Sequence, residues 1–175
     1  MINLLVVSDT HGVYKKLEAV LERQLALDGK FRPSHLVHLG DGISDIDRCK
    51  LSEKFCIHTV KGNCDSFFYS SSVPTERLIS LGEFKILALH GHTRSVKSGD
   101  SVAAAYAVES GADLLLYGHT HVPMCYTLRE GTEFLGTILK KPLTVFNPGS
   151  LGYDGSFGVV SLCENGVVCS HGSIK

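Results

Sequence analysis

The order of apolar runs along these 175 residues predicts an α/β fold, with two mixed β-sheets packed face to face and helices outside. Three observations carry that expectation. Ile2–Val7 is a continuous apolar run of the kind that is buried on both faces of a parallel sheet. The first half then continues in the order β-α-β-(α)-β. The last third holds only short strand patterns split by Gly, Pro and Asn turns, so antiparallel pairing follows there.

Each element has its own warrant. Residues 13–27 read as an amphipathic helix: Leu17, Val20, Leu21 and Leu25 share a face, while Lys15, Lys16, Glu22 and Arg23 point away from it. Gly29 ends that helix. Residues 35–39 and 56–60 are the second and third strands. Residues 77–81 and 84–89, joined at Gly82-Glu83, have the pattern of a hairpin. Residues 100–110 form a small-residue helix with Asp100 as candidate N-cap and Gly111 just past its end. Residues 113–117 are another buried strand, and 124–128, 134–137, 143–146, 157–162 and 167–171 complete the set.

The length fits one domain, residues 1–175, and the 43% hydrophobic and 20% charged composition is that of a globular protein. A net charge of -1 with scattered Lys and Arg offers no long-range pull toward nucleic acid or acidic membranes. The chain has no signal-peptide pattern and no apolar run near membrane-spanning length. Its six cysteines lack any CxxC pair, so reduced thiols in the cytoplasm are expected, with Cys56, Cys163 and Cys169 as small core residues. A homo-oligomer is compatible with the sequence, which does not determine the assembly.

Chemistry is concentrated in five polar clusters: Asp9-Thr10-His11, Gly40-Asp41, Gly62-Asn63, His90-Gly91-His92 and Gly118-His119-Thr120-His121. Each ends or follows an apolar stretch, and ligands of open α/β sheets gather outside the carboxyl ends of strands. The expected rim therefore collects Asp9, Asp41, Asn63, His90 and His119. One divalent ion takes roughly four to six N/O donors, so the two carboxylates, one amide oxygen and up to five imidazoles of the five clusters are too many for one ion and enough for two. Asp41, central in the order, is the candidate bridge, and Asn63 adds a neutral carbonyl oxygen. Two ions compensated by only two carboxylates leave positive charge for an anionic phosphate. Metal pairs about 3.5–4 Å apart are a device for hydrolysing phosphate esters. Donors of this kind suit Mn, with Fe, Ni, Co or Zn as alternatives. Singly, a Gly-Asp or Gly-Asn is usually just a turn.

The string SDTHG (8–12), LGD (39–41), GNCD (62–65), HGH (90–92), YGHTH (117–121) and NPGS (147–150) resembles the calcineurin-like metallophosphoesterase superfamily, in its small bacterial and archaeal phosphodiesterase branch. The resemblance implies a four-layer α/β sandwich. It also implies one metal held by Asp9, His11, Asp41 and His121, and a second held by Asp41, Asn63, His90 and His119. Many members have His after Gly-Asn; here it is Cys64, a poor proton donor to an alkoxide. His92 is open between leaving-group acid, phosphate contact and loop structure. Cys64 either lies near substrate or packs behind Asn63, with Asp65 orienting that amide. Arg94 is the one nearby fixed cation expected from the motifs. His35, His38 and His58 read as structural histidines, His171 as exposed, and Asn147-Pro148-Gly149-Ser150 as a rigid turn at the site's edge.

The expected function is a metal-dependent phosphodiesterase acting through a dimetal-bridged hydroxide on a small phosphate ester. Phosphomonoesterase is the alternative within enzymes. A scaffold like the retromer subunit Vps29, which shares this fold, is the alternative from a different class.

Overall fold

In the computed structural model, which describes residues 1–66 and 71–175, the apolar runs form two five-stranded sheets. The first has the order β12-β11-β1-β2-β3 and is built from Ile2–Val7 (β1), His35–His38 (β2), Cys56–Thr59 (β3), Ser156–Cys163 (β11) and Gly166–Ser173 (β12). β1, β2 and β3 run parallel; β11 returns antiparallel to β1, and β12 antiparallel to β11. The second has the order β4-β5-β6-β10-β7, from Glu76–Leu81, Phe84–Leu89, Leu114–Tyr117, Leu143–Asn147 and Met124–Leu128. Its centre, β5-β6-β10, is parallel, with an antiparallel strand on either side.

Side chains alternate with the strand period of two, and this alternation builds the layers. Leu4, Val6, Val37 and Leu39 face Ile86, Leu114, Leu116 and Phe146 across the sheet–sheet interface. Leu5, Val7 and Leu36 turn to the opposite face, where Leu17, Val20 and Leu21 of α1 (Tyr14–Leu25) cover them. On the far side Leu87, Leu115 and Val145 pack against Ala103, Ala104 and Ala107 of α3 (Ser101–Glu109), whose small residues let the helix sit close. Among the described residues no helix is long and apolar enough to cross a membrane.

Several expectations need correction. Residues 134–137 are not one strand. Leu135 and Gly136 both adopt positive φ (49° and 78°), so the chain reverses and pairs β8 (Glu133–Phe134) with β9 (Thr137–Ile138). Asp100 precedes α3 without capping it; its carboxylate accepts the hydroxyls of Tyr117 (3.2 Å) and Tyr126 (3.1 Å). The helix expected between the second and third strands is the short α2 (Ser44–Arg48) with a 3₁₀ segment (Lys50–Lys54) after it, while α4 (Leu151–Asp154) escaped the pattern, being too short to show a period. Cys56, on the edge strand β3, is exposed and Cys163, at the end of β11, is half-buried, whereas Cys169 is half-buried and packs against the core between the sheets; the fully buried thiol is Cys49, and none of the six is in a disulfide. His171, though exposed, stacks on Phe146 (4.6 Å between centroids) and donates to the Asn147 carbonyl at 2.7 Å.

His38 behaves as the structural histidine expected. Its Nδ1 accepts from the Gly40 N–H at 3.2 Å and its Nε2 meets the Thr10 hydroxyl at 3.3 Å. Complete burial pushes its pKa down to about 4, despite the opposing charges of Asp65, Asp9 and Asp45. The unfolded chain therefore takes up this proton first, near pH ~6.5, and stability is lost as pH falls toward the folded value. Between about pH 7 and about pH 5 the loss from this group is about 2 kcal/mol. Urea unfolding at the two pH values is expected to show that loss in the wild type and not in His38→Asn, which keeps an acceptor for Gly40. Equal pH dependence in both would refute it.

Candidate metal centre

Five of the expected loops meet at one rim of the sandwich. The loops after β1 and β2 are tied by the Asp9 N–H to Gly40 O and the His11 N–H to Asp41 O, both 3.0 Å. The loop after β6 joins them through the Gly118 N–H to His90 O (3.0 Å) and the His119 N–H to Asp9 Oδ2 (3.1 Å). The Asn147–Ser150 turn buttresses this from below and supplies no ligand atom. Asn147 Nδ2 donates to Gly118 O and Thr120 Oγ1, and Ser150 Oγ donates to Asp9 O. Gly62 and Gly118 are required by close approach: a Cβ would overlap Asp41 Oδ1 at the first and Ser8 Oγ at the second.

Backbone strain marks the same residues. Among the described residues, seven that are not glycine have positive φ, and five of them are Asp9, His11, Asp41, His119 and His121. Left-handed conformations at such residues cost on the order of 1 kcal/mol each and persist where the surroundings dictate side-chain direction. The sequence hinted at this only through the glycines beside them.

Two sets of donor atoms converge. In one, His121 Nε2 lies 3.1 Å from Asp9 Oδ1 and 3.5 Å from His11 Nε2, with His11 Nε2 3.8 Å from Asp9 Oδ1. In the other, His90 Nε2 lies 3.4 Å from Asp41 Oδ2, 3.2 Å from Asn63 Oδ1 and 3.1 Å from His119 Nδ1. Asp41 also stands within donor-atom reach of His11, so it links the sets. Metal–ligand bonds of ~2.1 Å imply ligand–ligand edges of about 3.0 Å in an octahedron and about 3.4 Å in a tetrahedron. The observed separations fall on or near those edges. The chemistry agrees: His90 Nδ1 donates to the Leu39 carbonyl at 2.7 Å, leaving Nε2 of the neutral ring as a lone pair aimed at other acceptors. Converging lone pairs repel unless a cation lies among them. The residues present therefore fit divalent metal.

Electrostatics point the same way. Burial opposes the Asp41 carboxylate, but the His90 hydrogen bond and the Cys64 N–H hold its pKa well below the usual range. Burial likewise opposes charge on His90, yet the Asp41 hydrogen bond and the Asp9 charge raise its pKa: a positive charge is wanted here. His119 is pushed down to about 4 by burial, His90 and Lys97, so its ring is neutral at neutral pH.

The remaining site expectations divide. His92 sits beside this group, its ring 5.4 Å from that of His90 and 6.2 Å from that of His119. Its Nδ1 is buried without a hydrogen-bond partner among the described residues, and its pKa is lowered by burial and by His90. Cys64 is exposed at the mouth, takes a hydrogen bond from Asn63 Nδ2 at 3.2 Å, and has its thiol pKa raised to about 11 by burial and Asp41. Arg94 does not stand free as a cation for substrate: it pairs with Glu76 at 2.9 Å and stacks over Tyr106 at 3.7 Å. Asp65 makes no bond to the Asn63 amide; its oxygens accept four backbone N–H groups, from Asp41, Gly42, Ile43 and Gly62.

Other neighbours were missed. Lys61 and Lys97 act electrostatically on His92 and His119, and a Lys beside Gly62-Asn63 was visible in the sequence. Tyr153 packs on His11 (5.3 Å) and His121 (5.0 Å), a contact made only by folding. Beside the centre opens a cleft of about 490 Å³ lined by His11, Asp41, Ser44, Cys64 and Ser66, among others.

Comparison with known proteins agrees with this geometry. The family model for the calcineurin-like phosphoesterase superfamily domain matches residues 2–164. The probable metallophosphoesterase YsnB of Bacillus subtilis is 31% identical over 150 residues, 85% of this chain and 75% of the relative. Phosphodiesterase YfcE of Escherichia coli is 26% identical over 185 residues, covering 91% and 88% of the two chains. Among solved structures, a predicted phosphoesterase of Streptococcus pneumoniae superposes with a TM-score of 0.73 at 25% identity, over 98% of this chain and 89% of that one. A Vps29 variant from Entamoeba histolytica (TM-score 0.66, 20% identity, 99% and 100% covered) shares the fold. The chain belongs to the calcineurin-like phosphoesterase superfamily.

Proposed function

We propose that this protein is a metal-dependent phosphodiesterase of the cytoplasm acting on a small phosphate ester. The observation that carries the reading is the convergence of nitrogen and oxygen donors at Asp9, His11, His121 and at Asp41, Asn63, His90, His119. Those seven residues would hold two divalent ions, Mn by the N/O character of the donors, with Fe, Ni, Co or Zn as alternatives. When bound, such ions supply Lewis acidity toward phosphoryl oxygens and a hydroxide nucleophile at neutral pH.

The chain's own residues do the rest. Asp41 keeps its charge at every physiological pH and brings the two sets of donors together. His90, fixed by the Leu39 carbonyl, holds the Asn63 oxygen and the His119 ring in register. His92, whose ring stands beside that of His90, is the group proposed to contact the leaving oxygen. Cys64, protonated at neutral pH, offers packing and no proton transfer. Arg94 has no part in substrate binding, since its guanidinium is committed to Glu76.

The relatives named as a probable metallophosphoesterase and a phosphodiesterase favour an enzyme over a Vps29-like scaffold. Diester is favoured over monoester because the described residues lining the cleft include no lysine or arginine to balance a second phosphate charge, Lys61 and Lys97 standing outside that lining. With manganese-loaded protein, an aryl phosphodiester is expected to be hydrolysed faster than the matching monoester. In the same panel, His92→Ala should slow an alkyl leaving group far more than nitrophenolate, since general acids contribute ~10²–10⁴-fold. Faster monoester hydrolysis with every metal would move the assignment to phosphomonoesterase, and absence of any turnover would favour the scaffold.

A further inference from the structure

A second group of metal-type donors lies away from the rim, made of side chains that the proposed reaction does not use. His35 opens β2, while Cys56 and His58 lie two apart on β3. Parallel pairing sets His35 beside Cys56 and Val37 beside His58, so the period of two turns all three side chains to one face. Their donor atoms converge: His35 Nδ1 is 3.1 Å from His58 Nε2, and Cys56 Sγ is 3.7 Å from that same nitrogen. All three donors lie within 4.8 Å of one another. The imidazole centroids lie 5.4 Å apart with 22° between planes, so the two ring nitrogens face each other across the short gap beside Cys56. Cys56 is exposed and the two histidines half-buried, so the point is open to solvent on the thiol side.

We propose that His35, Cys56 and His58 bind one zinc ion, independent of the centre at the rim. Zinc bonds of ~2.05 Å to nitrogen and ~2.3 Å to sulfur require tetrahedral edges of about 3.3 Å between nitrogens and about 3.6 Å from nitrogen to sulfur. The structure gives 3.1 and 3.7 Å. Two imidazoles and a thiolate are a borderline-soft set, whereas the rim offers four imidazoles, two carboxylates and an amide oxygen and no sulfur among its seven donors, so it is the thiolate that favours zinc here. Three protein ligands leave the fourth position to water on the exposed side. The ligands bridge β2 to β3, the edge strand of its sheet, and β3 leads directly into Gly62 and Asn63. Zinc here pins the free edge of the strand that delivers a donor to the rim. The competing occupant is a proton shared between the two rings.

The test uses the full chain saturated with manganese and titrated with cobalt(II), a spectroscopic stand-in for zinc. A thiolate-to-cobalt charge-transfer band is expected, its limiting intensity that of one thiolate-bound cobalt per chain, and added zinc should bleach it. Cys56→Ser should abolish it, and His58→Ala or His35→Ala should weaken cobalt binding by about tenfold or more. Cys64→Ser, which removes the other thiol near carboxylates, should leave the band intact. No band at all, a band surviving in Cys56→Ser, or a band lost in Cys64→Ser would each overturn the assignment. Because the band reports sulfur ligation and needs no substrate, its outcome is separate from that of the phosphodiesterase reading.

Discussion

Asp41→Asn is expected to lower metal affinity by at least ~10³-fold across the whole centre and to abolish turnover with it. Asp41 is 2% exposed, and it is shared between the His11 side and the His90–His119 side. A carboxylate ~4 Å from a divalent ion at an effective dielectric of ~20 contributes about 8 kcal/mol. The amide retains an oxygen and part of that attraction; losing half of it, about 4 kcal/mol, gives the stated factor. His121→Ala should differ in kind. It removes a donor set against Asp9 Oδ1 and His11 Nε2, so it should empty that half and spare the half around His90. Elemental analysis of manganese-reloaded protein decides this. Equal loss from both variants would mean that Asp41 is not shared, and full occupancy in Asp41→Asn would remove it from the ligand set.

The candidate ligands were legible because each sits in a short local string at a strand end, where chain direction alone puts it at the rim. Residues Asp9, Asp41, Asn63, His90 and His119 come from five loops, yet no long-range contact had to be foreseen to bring them there. The sheets were legible for a similar reason: strands buried on both faces, such as Leu4–Val7 within β1, read as unbroken apolar runs. What could not be read depends on loops meeting one another. Tyr153 reaches His11 and His121 only because the Leu151 and Gly152 amides bond back to the carbonyls of Ser8 and Asp9. Arg94 looked free because Glu76, its partner, lies 18 residues upstream at the start of β4. Asp100 looked like a cap because it stands where caps stand; the two tyrosines that claim it arrive from β6 and β7.

Asp65 shows the same limit most clearly and carries the second large expectation. Oδ2 accepts the N–H groups of Asp41 (2.9 Å) and Gly62 (2.7 Å), while Oδ1 accepts those of Gly42 (2.8 Å) and Ile43 (3.0 Å). One side chain thus clamps the turn that carries Asp41 to the turn that carries Asn63, and it does so with four donors on one anion. Asp65→Asn preserves the shape and replaces one oxygen with an NH₂, which confronts two N–H donors with a third. Leaving two such donors unsatisfied costs about 3 kcal/mol, after allowance for the half-buried position. For a chain of this length that corresponds to a drop of roughly 10 °C in melting midpoint. The metal centre should feel it as well, because Asp41's own amide is among the four: metal affinity is expected to fall ~10–100-fold although no ligand has changed. Calorimetry with and without manganese separates the two effects, since the destabilisation should persist in chelated protein and the affinity loss should widen it when metal is present. A variant that melts with the wild type and holds metal equally well would show that the clamp is idle and that the two turns are positioned by the strands alone.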